Sequence, residues 1–88
     1  MDFEWDDTKN ATNKVKHGVG FEIARAFVWD EAIIETDSRR DYGEERFIAR
    51  CPASDGLRYH IAFTMRGDTV RLITMRRFSR KDYLRYGR

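Results

Sequence analysis

Leu57-Arg58-Tyr59-His60-Ile61-Ala62-Phe63-Thr64-Met65-Arg66-Gly67-Asp68-Thr69-Val70-Arg71-Leu72-Ile73-Thr74 is the stretch that decides the fold. Leu57, Tyr59, Ile61, Phe63 and Met65 alternate with Arg58, His60, Ala62, Thr64 and Arg66, the period of two that gives a strand one apolar and one polar face. Gly67-Asp68, with glycine first, predicts a two-residue hairpin turn, and the return strand runs from Thr69 to about Arg77. In that register Arg66 faces Thr69, Thr64 faces Arg71, Phe63 faces Leu72, Ala62 faces Ile73 and His60 faces Met75.

Working outward, Glu45 to Cys51 reads as a strand joined to this hairpin by the turn Pro52-Ala53-Ser54-Asp55-Gly56. That turn sets Arg50 opposite Arg58, Ile48 opposite His60 and Arg46 opposite Ala62. Ala32 to Thr36 is a further β-branched run, separated from it by a polar and plausibly mobile loop at Asp37 to Gly43. Phe3 and Trp5 alternate as in a short strand, and Asp6 or Asp7 caps a helix that Gly18 ends after about Lys16. Phe21, Ala24, Phe27 and Val28 predict a second helix from Phe21 to about Trp29. Ser79 caps a short basic tail helix carrying Tyr83, Leu84 and Tyr86.

The order β-α-α-β-β-β-β-α over residues 1–88 predicts a single α+β domain. Its expected architecture is an antiparallel sheet of about four to five strands, with the two N-terminal helices packed on one face. Leu57, Tyr59, Ile61, Phe63, Met65, Phe47, Ala49, Cys51, Val70 and Leu72 form the expected core face. The other face carries Arg46, Arg50, Arg58, His60, Thr64, Arg71 and Arg77. By this register Arg76 falls on the core side, unless a bulge near Thr74 turns it outward.

Charge is split along the chain. Residues 1–45 hold 12 acidic and 6 basic side chains, net −6, and residues 46–88 hold 3 acidic and 11 basic, net +8, ten of the latter being arginine. Arginine's planar fork grips phosphate through paired hydrogen bonds, so the second half reads as polyanion-facing. Lone Cys51 is expected to be a small core residue in a reducing compartment. No apolar stretch reaches membrane-span length, and the opening Met1-Asp2-Phe3-Glu4 lacks the basic start of a signal peptide, so a cytoplasmic protein is expected.

Neither a metal nor another cofactor is expected. His17, His60 and one cysteine have no zinc spacing, and Asp55, Asp68 and Asp82 do not cluster in the sequence. Cleavage of RNA by its own 2′-hydroxyl needs only a base, an acid and cations around the phosphate. His60 is the natural proton-transfer group, since histidine titrates near neutrality. His17, in Lys16-His17-Gly18, is explained by complementing a helix C-terminus, with phosphate contact or catalysis as the alternative. Arg50, Arg58, Arg77, Arg80 and Lys16 are the expected RNA-contacting cations.

The sequence also resembles the BrnT toxins of bacterial type II toxin–antitoxin systems. The similarity runs through Phe3-Glu4-Trp5-Asp6, Lys9, Asn13, Lys16-His17-Gly18-Val19, Phe21-Glu22 and Ala24, then Glu44-Glu45-Arg46. It continues in Phe63-Thr64, Arg66-Gly67-Asp68, Arg71-Leu72-Ile73-Thr74, Arg76-Arg77 and Ser79-Arg80. The resemblance implies a RelE-like fold, a metal-independent endoribonuclease that arrests translation, and a BrnA-type antitoxin with a ribbon-helix-helix segment bound in a hetero-oligomer. It points to Arg46, Thr64, Arg71 and Arg76 as site residues; His60 lies outside the matching motifs. The competing expectation is a non-catalytic nucleic-acid-binding module using the same arginines, against which stands the lack of any helix-turn-helix or ribbon-helix-helix pattern in this chain.

Overall fold

A computed structural model describes residues 1–87. Its elements are β1 (Asp2–Glu4), α1 (Asp7–His17), β2 (Ile33–Thr36), β3 (Phe47–Pro52), β4 (Arg58–Arg66), β5 (Thr69–Arg77) and α2 (Arg80–Tyr86), with 3-10 segments at Phe21–Ala26 and Trp29–Glu31. One five-stranded sheet has the order β1-β5-β4-β3-β2. β1 runs parallel to β5, so the sheet is mixed rather than antiparallel throughout.

The hairpin forms as its alternation requires, with Arg66 opposite Thr69, Thr64 opposite Arg71 and Phe63 opposite Leu72. Gly67 takes a φ of 61° at the turn, which a side chain would strain. Beyond Phe63 the register shifts: Ala62 faces Thr74, Ile61 faces Met75, His60 faces Arg76 and Tyr59 faces Arg77. Ile73 is the extra residue of a bulge, and its physical consequence is an exchange of faces. Met75 enters the core at 1% exposure. Arg76 turns to the polar face, and Arg77 leaves it, contrary to the expected placement of Arg77.

β3 is also displaced from its expected pairing by two residues. Arg50 faces His60 and Ile48 faces Ala62, because Pro52 still belongs to the strand, opposite Arg58. A slip of two preserves the alternation, so the faces survive the error. Tyr59, Ile61, Phe63, Ala49, Cys51, Val70, Leu72 and Met75 are buried with Phe21, Ala24 and Phe27. Leu57 and Met65, expected inside, are 40% and 42% exposed because they lie at the strand ends, beyond the covering segment. Burial pushes the Cys51 thiol up to about 11, as befits an inert core residue.

The predicted second helix is instead the 3-10 segment Phe21–Ala26. Its continuation is captured by the β3–β4 turn: Ser54 N–H donates to Ala26 C=O (2.8 Å) and Val28 N–H to Pro52 C=O (2.9 Å), which pulls Phe27 and Val28 out of helical geometry. α1 matches its expected caps, with the Asp6 carboxylate accepting from Thr8 and Lys9 N–H groups and Gly18 left-handed. Rather than lying flat on the core face, it closes the edge of β5. The Asn13 amide donates to Met75 C=O (2.8 Å) and to Val19 C=O (2.9 Å) and accepts from Met75 N–H (3.2 Å), replacing the strand partner that β1 is too short to supply.

Candidate active site

The polar sheet face is concave at one end. Ile48 and Arg50 of β3, His60 and Ala62 of β4, and Thr74 and Arg76 of β5 floor a cavity of about 640 Å³. Lys16 and His17, at the C-terminus of α1, form one wall; Glu35, Asp37 and Arg39 form the other, and Tyr86 of α2 closes a third side. The Ile73 bulge is what places Arg76 here beside His60.

Each arginine of the basin is aimed by a carboxylate. Arg50 donates to Glu35 (2.8 Å), Arg76 to Asp82 (2.6 Å), and Arg39 grips Asp37 with Nε and Nη2 (2.8 and 2.9 Å). The capping box of α2 explains the position of Asp82, which also accepts from Ser79 N–H at 2.7 Å. Hydrogen bonds from Arg76, then from Ser79, hold its carboxyl well below the usual range against the opposing effect of burial, and the nearby His60 adds to them.

His60 stacks on Phe78 with centroids 4.6 Å apart. Its Nε2 lies 3.2 Å from Asp82 Oδ1 but out of line for a proper hydrogen bond, so this ion-pair distance is not a satisfied bond. Burial, then the Arg76 charge, lowers its pKa; Asp82 opposes this and Arg50 adds to it. The imidazole is therefore neutral at pH 7 and able to accept a proton. Arg46 Nε, Arg50 Nε and His60 Nε2 are buried nitrogens with no hydrogen-bond partner among the described residues, and all three lie on this face. Arg50 also stacks on Tyr86 at 4.2 Å, which fixes its plane. Among the described residues, no three His, Cys, Asp or Glu side chains converge as a metal site requires.

The structure thus brings together Lys16, His17, Arg50, His60 and Arg76 of the sequence-expected set. Arg46, Thr64 and Arg71 lie at the other end of the face. Thr64 is buried and donates to Glu45 C=O (2.6 Å), Arg71 is held by Glu4, and Arg46 stacks on Tyr42 at 4.1 Å. Arg58 sits where β4 meets the tail, its N–H donating to the Tyr83 hydroxyl (3.1 Å). Arg80 opens α2 with its side chain exposed. Arg77 is turned to the α1 end, donating to His17 and Gly18 carbonyls at 3.4 and 3.3 Å. The face is not uniformly cationic either, since Glu4, Glu35 and Glu44 from the acidic half interleave with the arginines of the basic half. Sequence reasoning missed Arg39 and the aiming carboxylates. The one available signal was a polar loop rich in charge directly after β2.

A mixed sheet with one apolar face covered and one arginine-lined basin around a histidine defines a small α+β domain suited to binding a polyanion. The family profile described as "Ribonuclease toxin, BrnT, of type II toxin-antitoxin system" matches residues 5–82. The crystal structure of the Brucella abortus ribonuclease toxin, BrnT, superposes with a TM-score of 0.62 at 22% identity, covering 91% of this chain and 99% of that one. No significant match is found among curated proteins. The chain belongs to the BrnT family of ribonuclease toxins of type II toxin–antitoxin systems, and an antitoxin is accordingly its partner.

Proposed function

We propose that the basin cleaves single-stranded RNA without a metal, by attack of the substrate's own 2′-oxygen on the adjacent phosphate. The observation that carries this reading is the convergence of His60, Arg50 and Arg76 on one concave floor, with Lys16 and His17 facing them. His60, kept neutral by burial and by Arg76, takes the 2′-hydroxyl proton. Arg50 and Arg76 stabilise the charge that builds on the phosphorane, and His17 or Lys16 gives a proton to the departing 5′-oxygen. Arg46, Thr64 and Arg71 take a secondary place, the two arginines contacting flanking phosphates along the face, with Arg58 and Arg80 extending that track near α2. Arg77 is left to brace α1.

In cells this activity would arrest translation in a RelE-like manner from the cytoplasm. It would be silenced by a BrnA-type ribbon-helix-helix antitoxin that covers the basin in a hetero-oligomer of this single domain. The test is incubation of the purified chain with RNA, with and without excess chelator, followed by end-group analysis. The expected products carry 2′,3′-cyclic phosphate or 3′-phosphate and 5′-hydroxyl ends, in either condition. Products with 5′-phosphate, or loss of cleavage in chelator, overturn the mechanism. RNA binding without cleavage would return the non-catalytic module.

A further inference from the structure

The loop from Asp37 to Arg46 is closed at its base by Asp37 N–H donating to Arg46 C=O at 2.8 Å. It is organised around one carboxylate. The Asp37 side chain is 3% exposed, yet it is fully satisfied by the Arg39 fork, by Arg39 N–H (3.2 Å) and by the Tyr42 hydroxyl (3.0 Å). These bonds, chiefly those from Arg39, hold its carboxyl far below the usual range, so it is an anion at any working pH. Arg39 itself is 73% exposed and lines the rim of the basin.

That asymmetry separates Arg39 from an ordinary surface ion pair. An exposed pair leaves both side chains free to wander. Here the buried partner fixes the guanidinium plane while occupying only Nε and one hydrogen of Nη2, so three of its five N–H donors remain directed away from Asp37. The tie also keeps Arg39 on the β2 side, two strands from β4. Thr36, where β2 ends, pairs through Phe47 at the level of Phe63, so it is also three residues along from His60. At about 4.7–4.9 Å per strand and about 3.4 Å per residue the backbones are roughly 14 Å apart, and the Arg39 side chain spans part of that gap where it lines the basin. A group so placed meets not the phosphate on which His60 acts but its neighbour along the strand.

We propose that Arg39 binds the RNA phosphate adjoining the scissile one, and that Asp37 is its positioning residue. This rests on the ribonuclease reading above and deepens it by giving the substrate a second anchored phosphate. The anchored phosphate would fix the path of the strand across the basin and so the nucleotide presented to His60.

The test uses the full chain and a single-stranded 2′-O-methyl oligonucleotide, which cannot be cleaved by 2′-attack. Its affinity is measured against salt concentration for wild type and Arg39→Ala, with thermal melting of both. Loss of one phosphate contact lowers the slope of log affinity against log salt by about 0.7 for a single strand. Arg39→Lys keeps a charge beside Asp37 but not the planar fork. On cleavable RNA it should raise KM about threefold to tenfold with kcat unchanged. An Arg39→Ala slope equal to that of wild type, whatever its melting temperature, overturns the proposal and leaves Arg39 as a counter-ion. So does an Arg39→Lys KM equal to that of wild type, which also decides the matter if Arg39→Ala does not fold. Wild-type chain that neither binds the oligonucleotide nor cleaves RNA would instead bring down the ribonuclease reading itself.

Discussion

Two ends of one sheet face carry the same kinds of side chain and treat them differently. Around Thr64, the hydroxyl goes to the Glu45 carbonyl and Arg71 to Glu4, while Arg46 and Arg66 approach Glu44 only at ion-pair distances of 3.6 and 3.8 Å. Around His60, the arginines are also paired, but their carboxylates come from the rim, at Glu35 and Asp82, and the floor between them is hollow. A histidine with a lowered pKa stands only in the second setting. Arginine density therefore does not locate chemistry on this face. Concavity and a proton acceptor held neutral do, because a phosphodiester must be surrounded rather than merely attracted.

The largest expected effect tests that contrast directly. His60→Ala should slow single-turnover RNA cleavage by about 10²–10⁴-fold, the usual contribution of a general base, while the protein still melts cooperatively. Full cleavage by this variant would erase the difference between the two ends. Next comes the brace behind the basin. Asn13→Ala removes three hydrogen bonds and strands the buried Met75 N–H and C=O groups, costing about 2–4 kcal/mol, or a drop in melting temperature of roughly 10–25 °C. A drop of only a degree or two would mean that β5 holds its edge without α1.

The pH profile sharpens the comparison further. Because His60 is depressed from 6.5 in the folded protein, the rising limb of the cleavage rate should have its midpoint below 6.5. Stability follows the same sign. Below about 6.5 the unfolded chain takes up the His60 proton first, so stability falls with falling pH until the folded pKa is reached. Asp82, depressed from 3.8, adds a second loss at lower pH. Removing His60 should flatten the upper of these two steps in a melting-temperature series, and an unchanged step would assign it to another group. The smallest effect belongs to the other end. Arg71→Ala should change cleavage by less than about threefold, since its guanidinium is already engaged by Glu4 on a half-exposed surface. A loss comparable to that of His60→Ala would move the site to Thr64 and Arg71.

Much of this molecule is legible in its residues, for reasons that are local. Tyr59, Ile61 and Phe63 alternate strictly, Gly67 permits a left-handed turn, and Asp6, Gly18 and Ser79 punctuate helices by short-range hydrogen bonds. The arginine face and His60 followed from the same alternation. The Phe21–Trp29 stripe misled because helical spacing of apolar residues states what is buried, not how the backbone is hydrogen-bonded. The β3–β4 turn competes for that backbone and prevails at Phe27. Arg39 and Asp37 could not be assigned to a site at all, since nothing in a polar loop says which cavity it borders.

The residues alone therefore determined the α+β class, the hairpin, the caps and the family, all of which rest on patterns within a few positions or on an ordered set of motifs. Tertiary structure decided which arginines share a site. The choice turns on one residue. Burying Met75 rather than Thr74 inserts a bulge at Ile73, and because side chains alternate with period two, that single step carries Arg76 to His60 and sends Arg77 to α1. Whether Met75 or Thr74 fills the core depends on the shape of the space left by Phe21, Ala24 and Tyr59, a property of packing that no stretch of the chain holds by itself.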